Sequence, residues 1–327
     1  MVYKRKLIIL LSLAGILLLA NILVTLINSG WASSRSSSFS WIDPRSEGRI
    51  DGIEIRGTAE EVSLIRRNNL WYVHNEGRDY PAKQERVEDF LALFTRKQEW
   101  PLRSSSSSSH ARLGVGEAEA ERITLKAGAG LPLLDLLSGV TDATGREIYL
   151  RKAGEDAVRS GEDGFSSYLS GSLTSWYNLR LFPAAEKGGP RPSDVQRVTL
   201  EFPPAARDEA EGSTVQAASL ALTFTRDGNN WNMSGADTAV ERTKVESWLQ
   251  GILNTEGENF APAQAGPYDS GRVSLELGNG SVLVIGFSPQ DASGKRNVTV
   301  SGSNELYILA DWAVSRIFRE AAYFETQ

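Results

Sequence analysis

The stretches DATGREIYL, residues 142–150, and DASGKRNVTV, residues 291–300, write one pattern twice. Each gives Asp-Ala-(Ser/Thr)-Gly-(Arg/Lys) and then a β-rich run. Chemically this is a hairpin: the Asp carboxylate accepts bonds from backbone amides ahead of it, and the Gly supplies the positive φ that closes the turn before the next strand. A functional reading competes at the same positions. Asp142, Gly145 and Arg146, with Asp291, Gly294 and Lys295, place acidic and basic groups on exposed loop tips, where they would serve as a partner-binding surface.

Other landmarks recur in the same order around the pair. RRNNLW at 66–71 answers RDGNNW at 226–231, each an Asn-rich turn leading into Trp. Val87, Phe90, Leu91 and Phe94 fall at i, i+3, i+4, i+7, and so do Val245, Trp248, Leu249 and Ile252, which predicts two amphipathic helices. Alternating runs at 122–127 and 272–277 each pass through a Gly-containing turn into apolar runs at 131–137 and 281–287. Tyr168 and Tyr307 open the closing segments, the latter with Val314, Ile317, Phe318 and Ala321 at helical spacing. Two copies of one unit account for the series. The segment PAAEKGGPRPSD, 183–194, reads as the boundary between them, and PPAARDEAEGST, from 203, as an insertion in the first hairpin of the second copy.

The N-terminus differs in kind. Residues 7–27 carry no charge over 21 positions, which as a helix would span roughly 31 Å, the thickness of a bilayer core. Lys4-Arg5-Lys6 precede this run, so the basic end is expected to stay in the cytoplasm with the rest outside. A cleavable signal peptide ending near Gly30-Trp31-Ala32 is the rival reading. SSRSSSFS, from residue 33, reads as a flexible tether.

Composition narrows the function classes. The 327 residues are 41% hydrophobic and 9% aromatic, enough for two folded cores. Taking the three N-terminal cations from a net charge of −6 leaves −9 on the remainder, which argues against a nucleic-acid partner. The chain has no cysteine, so it has no disulfides, thiolate metal sites or Cys nucleophiles. Its two histidines, His74 and His110, lack metal-ligand spacing and read as surface residues. The tract 104–109 before His110 reads as a mobile serine loop, not a nucleophile, which must be held rigidly beside its base. ASGKR at 292–296 fails the phosphate-loop pattern at Pro289, and Asp227-Gly-Asn-Asn lacks the twelfth-position Glu of a calcium loop. Asn232, Asn279 and Asn297 begin formal glycosylation acceptors, meaningful only in a eukaryotic secretory pathway. No cofactor or metal site follows from these residues.

Taken together, LWYV at 70, VEDFLALF at 87, RLGV at 112, DATGREIYL at 142 and WAVSRIF at 312 resemble the bacterial family called domain of unknown function 4340. The resemblance covers most of residues 50–324, although the RLGV turn is not clearly repeated in the second half. It implies a membrane-anchored protein that works outside the membrane with ABC transporters of the gliding-motility or auxiliary type. The family has no known catalytic residues to carry over.

The resulting expectation is an α+β protein: an anchor with a short basic tail over 1–30, a tether over 31–49, a first unit over 50–183, a linker over 184–194 and a second unit over 195–327. Each unit is expected to be a mostly antiparallel sheet packed by about two helices. The leading function is a non-catalytic accessory or binding protein of the inner membrane, with its bulk periplasmic and an ABC permease or ATPase complex as partner. A structural envelope protein that self-associates or binds cell-wall polymer, with exposed aromatics such as Trp41 or Trp100 as contacts, is the second reading. A hydrolase using two carboxylates of raised pKa in one cleft is the third.

Overall fold

The computed structural model describes residues 38–57, 60–128, 130–202, 221–234, 240–263 and 266–326. The segment 7–27 read as an anchor lies outside them, and among the described residues no helix is long and apolar enough to cross a membrane. The fold is mostly β, with three antiparallel sheets and few helices. The chain divides into two compact units, Met1–Tyr177 and Asn178–Gln327.

In the first unit the strands are β1 (Ser38–Phe39), β2 (Ile50–Arg56), β3 (Glu61–Arg67), β4 (Leu70–Asn75) and β5 (Arg78–Pro81), then α1 (Gln84–Thr95). After it come β6 (Gln98–Glu99), β7 (Leu102–Ser104), β8 (Glu121–Ala127), β9 (Leu131–Thr141), β10 (Glu147–Lys152), β11 (Val158–Glu162) and the short helix α2 (Ser166–Leu169). Nine strands form one sheet in the order β5-β4-β3-β2-β8-β9-β10-β11-β7, and β1 pairs with β6. Alternation decides the buried face: Ile53 and Ile55, Val62 and Leu64, Trp71 and Val73, Ile123 and Leu125 point one way and are buried. Val87, Phe90, Leu91 and Phe94 of α1 are buried as the spacing predicts, and fully burying each such side chain contributes about 1.5–3 kcal/mol. Phe90 and Phe94 meet edge to face at 5.1 Å, with Trp176 at 5.5 Å from Phe90 and Phe165 at 5.3 Å from Phe94. The first turn of α1 is tied down by Gln84, which accepts from Trp71 N (2.8 Å) and donates to Trp71 O (3.0 Å) and Ala82 O (2.8 Å). Asn68 and Asn69, at φ 51° and 64°, make the two-residue β3–β4 turn, a left-handed pair that Asn tolerates better than other non-Gly residues.

The second unit contains β12 (Val195–Glu201), β13 (Ala221–Asp227), β14 (Asn230–Met233), α3 (Arg242–Leu253), β15 (Asn259–Phe260), β16 (Arg272–Leu277), β17 (Val282–Phe287), β18 (Arg296–Val300), β19 (Leu306–Leu309), α4 (Asp311–Ile317) and α5 (Ala321–Phe324). Its sheet runs β14-β13-β12-β16-β17-β18-β19-β15, which matches β4-β3-β2-β8-β9-β10-β11-β7 neighbour for neighbour. Among the described residues β5 and the two-stranded β1–β6 sheet lack counterparts in the second unit. The long helices correspond too, each 12 residues, with Val245, Trp248, Leu249 and Ile252 buried in α3. The correspondence extends to the ends of the units: Lys83 N donates to Trp176 O and Glu241 N to Phe324 O, both at 2.8 Å. The insertion from 203 lies outside the described residues, between two strands that pair up to Glu201 and Ala221.

The structure departs from four expectations. Residues 38–49, read as tether, are built into the first unit: Ile42 N donates to Phe94 O (3.1 Å), Trp41 and Ile42 are buried, and Asp43 caps a 3₁₀ turn over Pro44–Arg49. The serines of 33–40 suggest a tether, but Trp41 and Ile42 just after them supply the burial. The division falls after Tyr177 rather than at 183–194, and Pro192 and Asp194 accept bonds from Arg226 Nη2 (2.9 Å) and Gly278 N (2.8 Å) within the second unit. Ser104–Ser109 is not a mobile loop: Ser104 pairs with Val158, and Ser106 accepts from Ser108 N to cap a 3₁₀ turn over Ser107–Ser109. Finally, Tyr168 and Tyr307 are not equivalent. Tyr307 lies on β19, which answers β11, whereas Tyr168 lies after β11 on α2.

Candidate functional site

The two motif copies occupy the same place in their sheets, the β9–β10 hairpin and the β17–β18 hairpin. At the first, Asp142 Oδ1 accepts from Arg146 N (2.9 Å) and Glu147 N (3.0 Å), and Oδ2 accepts from Thr144 Oγ1 (2.7 Å). At the second, Asp291 Oδ1 accepts from Ser293 N and Lys295 N, both at 2.8 Å, and from Ser293 Oγ at 2.7 Å. Gly145 and Gly294, at φ 68° and 82°, close the turns with Gly N–H donating to the Asp carbonyl, 2.9 Å and 3.0 Å. The bond from Glu147 N, then that from Thr144, holds the Asp142 carboxyl well below the usual carboxylate range; the bonds from Lys295 N and Ser293 do the same for Asp291. Both carboxylates are therefore engaged by their own backbone.

The basic members are placed differently. Arg146 is exposed. Lys295 forms an ion pair with Glu258 at 2.7 Å, which raises its pKa. Beside the first turn, Glu147 accepts from Ser160 Oγ (2.6 Å) and Arg103 Nη2 (2.5 Å), and these bonds lower its pKa. The RLGV turn meets the same sheet end, with Leu113 O accepting from Val140 N at 3.2 Å. It fits only because Gly139 has no side chain: a Cβ there would lie 2.1 Å from Leu113 O. Arg151, 4% exposed, fixes the loop from below by donating to Val115 O (2.9 Å), Glu155 O (2.9 Å) and Glu117 (3.0 Å).

Elsewhere the chemistry is local. His74 Nδ1 lies 2.7 Å from Asp79 on the neighbouring strand, and His110 Nε2 lies 3.1 Å from Asp156 O. Among the described residues no three His, Asp or Glu side chains gather as a metal site would require. A hollow of about 600 Å³ in the second unit is lined by Gly188, Gly189, Ser193, Asp194, Gln196 and Asn279. Its one carboxylate, Asp194, accepts from Arg191 N at 2.8 Å. Among the described residues the carboxyls whose pKa departs from its ordinary value, Asp142, Glu147, Glu241 and Asp291, move down, opposite to the raised pair that a carboxylate hydrolase needs.

The aromatic contacts proposed for an envelope protein are corrected by burial. Trp100 is fully buried and Trp41 nearly so, the two rings meeting edge to face at 5.1 Å. Among the described residues the exposed tryptophan is instead Trp312, at 59%. A signal for it was present, because Trp312 falls off the Val314-Ile317-Phe318-Ala321 stripe of its segment.

Among known proteins, an uncharacterized protein of Treponema pallidum (strain Nichols) is 28% identical over 131 residues, which cover 39% of this chain and 41% of that protein. The matched stretch is thus less than half of that relative's length. No solved structure matches. The profile of domain of unknown function 4340 matches residues 71–270, from β4 of the first unit to the approach to β16 of the second, and the chain belongs to that family.

Proposed function

We propose that the protein is a membrane-tethered, extracytoplasmic binding or accessory protein that works with an ABC-type transport system. The observation that carries the binding half of this reading is the pair of hairpin tips at Asp142 and Asp291. They stand at equivalent places in two matching sheets, and their carboxylates are bound by their own turn amides, so the tips are rigid presenting elements. Rigid, solvent-facing loops on a sheet scaffold suit recognition, since little order is lost on binding. The location half rests on residues 7–27 and the basic triplet before them. The transporter half rests on what the family resemblance implies.

The test is a crosslinked, mild-detergent pull-down of the tagged full chain from native membranes. Enrichment of ABC permease and ATPase subunits over an unrelated single-pass protein is the expected result. Recovery of wall fragments or of the chain alone contradicts it.

A further inference from the structure

Both sheets carry the same irregularity at the same place. Along β2 two steps, Ile50 to Gly52, stand opposite one step of β8, Ala127 to Lys126; along β12 Val195 to Arg197 stands likewise opposite Leu277 to Glu276 of β16. Each is a β-bulge, with Asp51 and Gln196 as the extra residues. A bulge breaks the ladder and re-aims a side chain, and bulges gather beside functional sites. A hollow opens at each, about 240 Å³ at Asp51 and about 600 Å³ at Gln196.

The two copies use the bulge residue differently. In the first unit Asp51 accepts from Gly128 N at 2.9 Å, and Lys126 pairs with Glu54 beside it, so the polar groups there satisfy one another. In the second unit the equivalent amide, Gly278 N, donates instead to Asp194 O at 2.8 Å. That leaves the Gln196 carboxamide with no hydrogen-bond partner among the described residues. On the β16–β17 turn, Asn279 Oδ1 accepts from Ser281 N (2.9 Å) and Ser281 Oγ (2.7 Å), which leaves the amide nitrogen its two donors. Ser193 adds a hydroxyl to the lining, and Leu277 and Leu283 add apolar surface. The wall at Gly189 is set by backbone, since a Cβ there would lie 1.8 Å from Pro183 O.

Charge decides the ligand class. No lysine or arginine lines the hollow, and its one carboxylate, Asp194, already accepts from Arg191 N (2.8 Å) and Ser193 Oγ (3.4 Å). An anion would meet no cation here, and a cation would meet only that engaged carboxylate, so either would lose hydration without a paired charge. The remaining amide and hydroxyl groups donate and accept side by side, as the neighbouring hydroxyls of a sugar also do. The volume lies within the roughly 300–1,000 Å³ of ordinary small-molecule sites.

We propose that the hollow at Gln196 binds an uncharged sugar ring, with Gln196, Asn279 and Ser193 on its hydroxyls and Leu277 and Leu283 against its carbon face. This goes beyond the binding reading above and needs neither the hairpin tips nor a transporter.

The test is isothermal titration calorimetry on the full chain in a mild detergent without a sugar head group. The probes are N-acetylglucosamine, glucose and galactose, with glucosamine and glucuronate as charged counterparts. Saturable binding of at least one neutral sugar is expected, about fivefold or more tighter than either charged counterpart. Gln196→Ala should weaken it about tenfold with an unchanged circular dichroism spectrum, since that side chain is exposed and unbonded. Gln196→Glu should weaken the neutral sugar and strengthen glucosamine, because it supplies the missing anion. Ser63→Ala, in the first unit's hollow, should change nothing. Tighter binding of a linear oligomer of the preferred sugar would assign the ring to a glycan chain, and equal binding to a free saccharide. No saturable binding by any neutral probe overturns the proposal. So does tighter binding of a charged counterpart, indifference to Gln196→Ala, or loss of binding in Ser63→Ala.

Discussion

Asp142 and Asp291 each direct a carboxylate onto the amides of their own turn, and this has a consequence for acid stability. In each case the folded state holds the carboxyl below its unfolded value. The stabilisation is complete above the unfolded value, near pH 4, and is lost as pH falls below it toward the folded value. The double change Asp142→Asn with Asp291→Asn should therefore lower the urea midpoint at pH 7 but flatten its decline between pH 5 and pH 3. An unchanged acid slope would show that the turns do not carry it. These turns were legible in the sequence because their chemistry closes within five residues. The burial of Trp41 and Trp100 was not, because it depends on which distant elements cover each ring.

At the scale of elements, β11 runs against Trp100 with no room to spare. A Cβ on Gly161 would lie 2.2 Å from the Trp100 ring. Gly161→Ala should cost about 1–3 kcal/mol by overpacking, read as a shift in urea midpoint. Added to Trp100→Leu, the same change should cost markedly less, since the two sites share the space. Additive losses would contradict this packing. Strands and long helices were legible because periods of 2 and 3.6 survive in a single segment, as at Val87-Phe90-Leu91-Phe94. The serine tract was misread because its order comes from a cap at Ser106 and a strand partner at Val158, neither visible in a run of identical residues. Tyr168 and Tyr307 show the same limit, since matching residue type does not ensure matching strand register.

For the molecule as a whole, the two sheets share one strand order and each encloses its own core, with Phe90, Phe94 and Trp176 in the first and Phe224, Trp248 and Phe324 in the second. A chain of residues 178–327 should accordingly fold alone, with a β-type circular dichroism spectrum and a single cooperative urea transition. A non-cooperative transition would contradict two self-sufficient units. The repeat was legible from landmark order, whereas the division at Tyr177 was not, because prolines and glycines at 183–194 interrupt regular structure without ending a core. The central claim, a folded pair of units held outside the membrane, is open to a direct measurement because the chain has no cysteine of its own. Ala292→Cys places the sole thiol on the exposed tip of the β17–β18 hairpin. A membrane-impermeant maleimide, applied to cells whose outer layers are permeabilised and whose cytoplasmic membrane is intact, should label it fully before lysis. Labelling only after lysis would place the units on the cytoplasmic side and contradict the account.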